Sequence, residues 1–199
     1  MVTAMDEPWI ELLNSDWHDY LGRGRAADRL DDPQLVRTFL AGWDLPDRIV
    51  SAKATRVALG ELRSVLRRFV DRAVAEESLT EEDLEALNTV LGAEPVVRRV
   101  EPSGSAYRMR LNPVRSSLGA VLAEIAKSFA DMLIEGDLAR IKLCENSDCR
   151  WVFYDRSRSR TRRWCEGASG CGNLLKVRRF RERQKKKRGK PPSGSTRRE

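Results

Sequence analysis

The sequence has a single histidine, His18, and no cysteine before Cys144. One imidazole cannot complete an HExxH-type zinc motif, and neither a Ser/His/Asp set nor a glycine-rich phosphate loop is apparent. His18, beside Asp16 and Trp17, has no partners of catalytic type and is assigned no role. Enzymatic activity is therefore not expected. No run of about 18 apolar residues occurs, which argues against a membrane-spanning helix. The opening Met1-Val2-Thr3-Ala4-Met5-Asp6-Glu7-Pro8 lacks the positive and apolar regions of a secretory signal, so a cytosolic protein is expected.

Negative charge is scarce at one end only. Residues 144–199 carry 18 Lys/Arg against 6 Asp/Glu, whereas residues 1–143 carry 19 against 24, so the net +7 conceals an acidic body and a basic arm. A basic arm attracts phosphate backbones or anionic surfaces. A hydrophobic content of 41% is ordinary for a folded globular chain and excludes disorder throughout.

The body reads as mainly helical. Asp32-Pro33 pairs a cap with a proline at the first helical position, followed by an apolar stripe of Leu35, Phe39 and Leu40 and a stop at Gly42. From Pro46 to about Glu77, Ile49, Val50, Val57, Leu62, Val65, Leu66, Phe69 and Val74 recur mostly at helical spacing. Thr80 is an N-cap ahead of Glu81-Glu82-Asp83, with the helix ending at Leu91-Gly92. Residues 96–100 and 107–111 flank a Pro/Gly/Ser turn and predict a short β-hairpin. Asn112-Pro113 is expected to cap a long apolar helix running to Gly136. The fold class expected is thus mainly α with a short β-hairpin (α+β), a helical domain over 1–138 preceding a small finger over 139–187. Residues 188–199, rich in Lys, Gly, Pro and Ser, read as a disordered basic tail.

Cys144, Cys149, Cys165 and Cys171 lie within 28 residues, with four, fifteen and five residues between them. Two close pairs across a loop are the layout of a structural four-thiolate site, which suits tetrahedral zinc and leaves no coordination position open for chemistry. One structural zinc per chain is the expected cofactor. Two disulfides, disfavoured in a reducing cytosol, and an iron–sulfur cluster are the competing uses of four cysteines. Between the pairs, Trp151-Val152-Phe153-Tyr154 and Arg162-Arg163-Trp164 read as two strands of a zinc-clamped hairpin. Arg150, Arg163 and the amides following Cys149 and Cys171 are candidate donors to the thiolates. Trp151 and Trp164 are expected to form the finger's own core.

After Cys171, Gly172 and Asn173 suit a tight turn into a helix carrying Leu174, Val177 and Phe180 for packing. Lys176, Arg179 and Arg183 then fall on one exposed stripe flanked by Arg178 and Arg181, and these five are the candidate nucleic-acid contacts. DNA is the expected partner, which would place the bound protein on the nucleoid. RNA is the competing one, because basic tails fold on RNA and Trp151, Phe153 and Tyr154 could stack bases.

The Cys144/Cys149 pair, Arg150-Trp151-Val152-Phe153, Arg162-Arg163-Trp164-Cys165 and Cys171-Gly172-Asn173 together resemble the CGNR zinc finger over about forty residues. The resemblance implies an N-terminal helical ABATE domain, of which Trp9 to Ser15 looks like a degenerate opening motif. It also implies a stress-induced bacterial transcription regulator that reads DNA through the finger. The arginine that completes the signature is Leu174 here, so one cation is missing at the start of the last helix. The body could then serve as a regulatory or oligomerisation domain, as a homodimer or as the seat of a small effector near Trp9, Trp17, Phe39 and Trp43; those aromatics equally suit a core.

Overall fold

The computed structural model describes residues 7–46, 52–165 and 170–188. Ile49 and Val50, and the tail from residue 189 onward, lie outside the described residues. The chain runs α1 (Pro8–Leu13), β1 (Asp16–His18), β2 (Ala26–Asp28), α2 (Pro33–Gly42), α3 (Ala52–Val74), α4 (Glu81–Leu91), β3 (Val96–Ser103), β4 (Ala106–Pro113), α5 (Leu118–Glu135), β5 (Ile141–Leu143), β6 (Val152–Tyr154) and α6 (Cys171–Arg188). The strands form three separate antiparallel pairs, β1 with β2, β3 with β4 and β5 with β6. The fold is α+β as expected, with β1–β2 an additional hairpin too short to leave a sequence signal.

Local chemistry accounts for most helix ends. Asp32 caps α2 by accepting from the Gln34 amide at 2.8 Å. Thr80 and Asp83 form a reciprocal capping box on α4, and Gly92 closes that helix. The start of α5 departs from expectation. Pro113 ends β4, and the helix begins only at Leu118, because Ser117 supplies the cap to the Ala120 amide at 3.0 Å. Ser117 is itself fixed by donating to the buried carboxylate of Glu94 at 2.7 Å, and Glu94 also accepts from the Arg115 amide at 3.1 Å. A carboxylate from before the hairpin thereby decides where the helix after the hairpin starts.

The core is made by α1, α3 and α5. Leu59, Leu62, Leu66, Phe69 and Val70 line the inner face of α3, and Val121, Ile125 and Phe129 that of α5. Trp9 is fully buried, edge-to-face on Phe129 with centroids 5.1 Å apart, and Phe69 meets the same ring at 5.1 Å. Each such buried side chain contributes roughly 2 kcal/mol of apolar transfer. Three apolar residues read as inward turn out: Leu35, Val57 and Val74 are exposed, with Val36, Leu59 and Val70 buried in their stead. Phe39, Leu40, Leu62, Leu66 and Phe69 are buried as read, so the period holds and the misreadings lie at the margins of the stripes.

The core continues beyond residue 138, since Ile141 and Val152 belong to the same cluster as Trp9 and Phe129. The joint is sealed by Asn14, just after α1. Its amide donates to the Val152 carbonyl at 2.9 Å and its carbonyl oxygen accepts from the Val152 amide at 2.8 Å, so one side chain completes the free edge of β6 in the manner of a strand. Asn14→Ala would leave both backbone groups buried without partners. It is expected to cost about 2–4 kcal/mol, read as a lowered denaturation midpoint in urea with an unchanged slope.

Candidate metal centre and basic helix

The four cysteines are brought together. All are buried and their sulfurs lie within 4.8 Å of one another. Cys149 Sγ is 3.7 Å from Cys165 Sγ, which is 3.8 Å from Cys171 Sγ. A tetrahedron with metal–sulfur bonds of about 2.3 Å has edges near 3.8 Å, whereas a disulfide needs sulfurs about 2.05 Å apart. The donor set therefore fits a single tetrahedral ion.

Three elements hold the tetrad. The first pair sits on a knuckle after β5, where Cys144 accepts from the amides of Cys165 and Asn146, Cys149 accepts from the Trp151 amide, and Arg150 adopts a left-handed φ of 55°. In the second pair, Cys171 is the first residue of α6. Asn146, not singled out from the sequence, is the third support. It is 1% exposed, and its amide reaches both the Tyr20 carbonyl at 2.9 Å and Cys171 Sγ at 3.4 Å. It thus links the metal centre to the body. Arg163, expected to face the sulfurs, instead forms a bidentate pair with Glu145.

As thiols, Cys144 and Cys149 resist ionisation. Cys149 is pushed far above the usual range by its hydrogen bonds with Cys144 and Cys165 and by burial. Cys144 is drawn down by Cys149 but pushed up more by Cys165 and by burial, to about 11. A divalent ion that converts them to thiolates must displace their protons and compensate the buried charge, so loading the site couples metal binding to proton release and to folding.

The expected pairing of residues 151–154 with 162–164 does not occur. β6 pairs with β5, Leu143 opposite Val152 and Ile141 opposite Tyr154. The reason is Asp155, which is fully buried directly after β6. Its carboxylate accepts from Lys142 Nζ at 2.7 Å, the Ser157 hydroxyl at 2.6 Å, the Ser157 amide at 3.0 Å and the Arg162 amide at 3.0 Å. Residues 155–162 are wound around this charge instead of crossing in a hairpin. Burial alone would raise the carboxyl, but those donors outweigh it and hold Asp155 well below the usual carboxylate range.

Trp151 and Trp164 are half-buried beside Phe153 and the cysteines, as expected of the finger's small core. Trp164 lies against Gly172, where an added Cβ would meet its ring at 3.3 Å. Glycine at 172 therefore permits α6 to leave the metal centre beneath an indole.

α6 presents two faces. Cys171, Leu174, Leu175 and Arg178 form the inner one, while Lys176, Arg179, Arg181 and Arg183 are exposed. Arg178 donates to the Leu21 carbonyl at 2.6 Å and to Asp148 at 3.1 Å. Of the five candidate contacts it is the one spent inside the protein. Val177 and Phe180, expected to pack on the finger, are 37% and 56% exposed because Arg178 takes the inward position.

The comparisons agree with this architecture. A family model named ABATE, described as "Putative stress-induced transcription regulator", matches residues 6–136, and the CGNR zinc finger matches residues 140–184. The chain belongs to the ABATE family. A search of curated proteins returns no match. In this ABATE protein the CGNR finger carries one structural zinc, for which Cys144, Cys149, Cys165 and Cys171 supply the ligands. Among the described residues no helix is long and apolar enough to cross a membrane. Of the four aromatics considered for an effector, Trp9 is core, and Trp43 donates to Glu11 at 2.7 Å. Phe39 lines a cavity of about 210 Å³ between α1 and α2, and Trp9 borders another of about 210 Å³ beside Tyr154 and Met132.

Stripping zinc with a chelator, or Cys149→Ser, is expected to unfold the finger and red-shift the emission of Trp151 and Trp164, while far-ultraviolet dichroism keeps the signal of α3 and α5. Re-adding zinc to the stripped protein should release protons measurable in weak buffer. A carboxyl depressed in the folded state contributes stability above its unfolded value near 4 and loses it as pH falls toward the folded one. Asp155→Asn is therefore expected to lower stability at pH 7 by about 2–3 kcal/mol and to flatten the loss seen below about pH 4, as measured by urea titrations across pH.

Proposed function

We propose that this ABATE protein is a DNA-binding transcription regulator whose zinc-built α6 contacts duplex DNA through Lys176, Arg179, Arg181 and Arg183. Arg178 acts as a positioning residue. The observation that carries the reading is the division of α6 into an anchored face and a cationic one. Cys171 fixes its first turn to the metal, Arg178 fixes its second turn to the loop after β1, and Lys176, Arg179, Arg181 and Arg183 are exposed. A helix held at both points carries its charges as a rigid row, which matches a groove or a phosphate track and loses little entropy on binding. Leu174, in place of the family's arginine, turns partly inward and narrows the contact set to the later turns. The helical body supplies the regulatory or oligomerisation half.

The test is binding of the zinc-loaded chain to random duplex across a salt series. Affinity should fall steeply with salt, and Arg179→Ala/Arg183→Ala should reduce the logarithmic slope by roughly 2 without changing the melting temperature. Arg178→Ala should instead lower the melting temperature and weaken binding with the slope nearly retained. Absence of duplex binding, or equal affinity for structured RNA, would move an RNA-binding or protein-adaptor role ahead of the DNA reading.

A further inference from the structure

The β3–β4 hairpin has eight residues in each strand, none of them buried, with only Glu101 and Asn112 even half-buried. Its two faces differ sharply. The register pairs Val96 with Pro113, Arg98 with Leu111, Val100 with Met109 and Pro102 with Tyr107, so these side chains share one face. The other face pairs Val97 with Asn112, Arg99 with Arg110 and Glu101 with Arg108. One side is thus apolar apart from Arg98, and the other is basic.

The apolar side is largely open to solvent, with Met109 and Leu111 at its edge bordering an open concavity shared with Glu124 and Lys127 of α5. Val96 is 47% exposed, Val100 66%, Tyr107 78%, Met109 61% and Leu111 37%. A solitary two-stranded ribbon is marginal in water, and a contiguous apolar patch of this kind marks an interface. At ordinary side-chain sizes the exposed part of these five amounts to roughly 500 Å², so pairing two such faces buries about 1,000 Å², the lower limit of a specific association.

We propose that this face is the dimer interface of the protein, its occupant the same face of a second copy related by a two-fold axis. Two features favour a second copy over a foreign partner. The apolar residues of this face suit an equivalent face, as a two-fold contact requires, and its one cation, Arg98, lies one pair in from the end of the ribbon, where its long side chain can reach solvent at the rim. The four arginines Arg98, Arg99, Arg108 and Arg110, against one Glu101, make the ribbon cationic, and stacking the apolar sides turns Arg99, Arg108 and Arg110 of both copies outward, where their repulsion is screened by solvent. Two-sheet stacking at about 10 Å would bury Val100, Met109 and Tyr107 at its centre.

The test is sedimentation velocity of the full zinc-loaded chain from about 1 to 100 µM, the range suited to an interface of this size. The wild type should pass from monomer to dimer, and amide exchange across 96–113 should slow with concentration. Val100→Asp/Met109→Asp should weaken self-association on the order of tenfold or more, with melting temperature and zinc content unchanged because both positions are exposed. Arg99→Glu/Arg110→Glu, on the opposite face, should leave the dimer intact. A wild type that stays monomeric at about 100 µM, a dimer indifferent to the apolar-face variant, or concentration-independent exchange in the hairpin would overturn the proposal. None of these readouts involves DNA, so they stand or fall apart from the role of α6.

Discussion

Four thiols gathered at one point constrain this protein more than any other contact. They join a knuckle after β5 to the first residue of α6. The Cys144 and Cys149 thiols favour their protonated forms, so it is the metal that makes the arrangement favourable, by trading protons for sulfur bonds. The direction of α6, the seating of Trp164 on Gly172 and the hydrogen bond from Asn146 to Cys171 all follow from where that ion sits.

The finger is not an independent bead on a string. Asn14 completes the edge of β6, Asn146 reaches Tyr20, Arg178 reaches Leu21, and Ile141 and Val152 enter the core of the helical body. Apart from Ile141 and Val152, these joints are polar groups whose partners lie far away in sequence and would be costly to leave unsatisfied. A change in the body near α1 or the loop after β1 therefore has a mechanical route to the orientation of α6. For a family described as regulators, that is the physical link by which one half can influence the other.

Much was legible in the residues. The cysteine spacing implied one metal centre, the caps at Asp32 and Thr80 placed two helices, and the Pro/Gly/Ser turn placed the β3–β4 hairpin. These features are local, fixed by a few neighbouring residues whose chemistry has one good solution. The exposed basic stripe of Lys176, Arg179 and Arg183 was likewise readable from helical spacing. What failed were readings that needed a partner from elsewhere. The start of α5 moved because Glu94 recruits Ser117, and the finger's hairpin changed strands because Asp155 draws Lys142 and Arg162 around itself.

The sequence by itself determined the helix set, the thiolate tetrad and the charge division between body and arm, since each depends on residue type and short spacing. Only the tertiary structure decided that Asn14 serves as a strand edge, that Arg178 faces inward while Phe180 faces out, and that the β3–β4 ribbon keeps an apolar side uncovered. Those outcomes depend on which backbone groups and charges remain unpaired once the core has closed. No local pattern records that, because the groups that satisfy them come from up to 157 residues away in the chain.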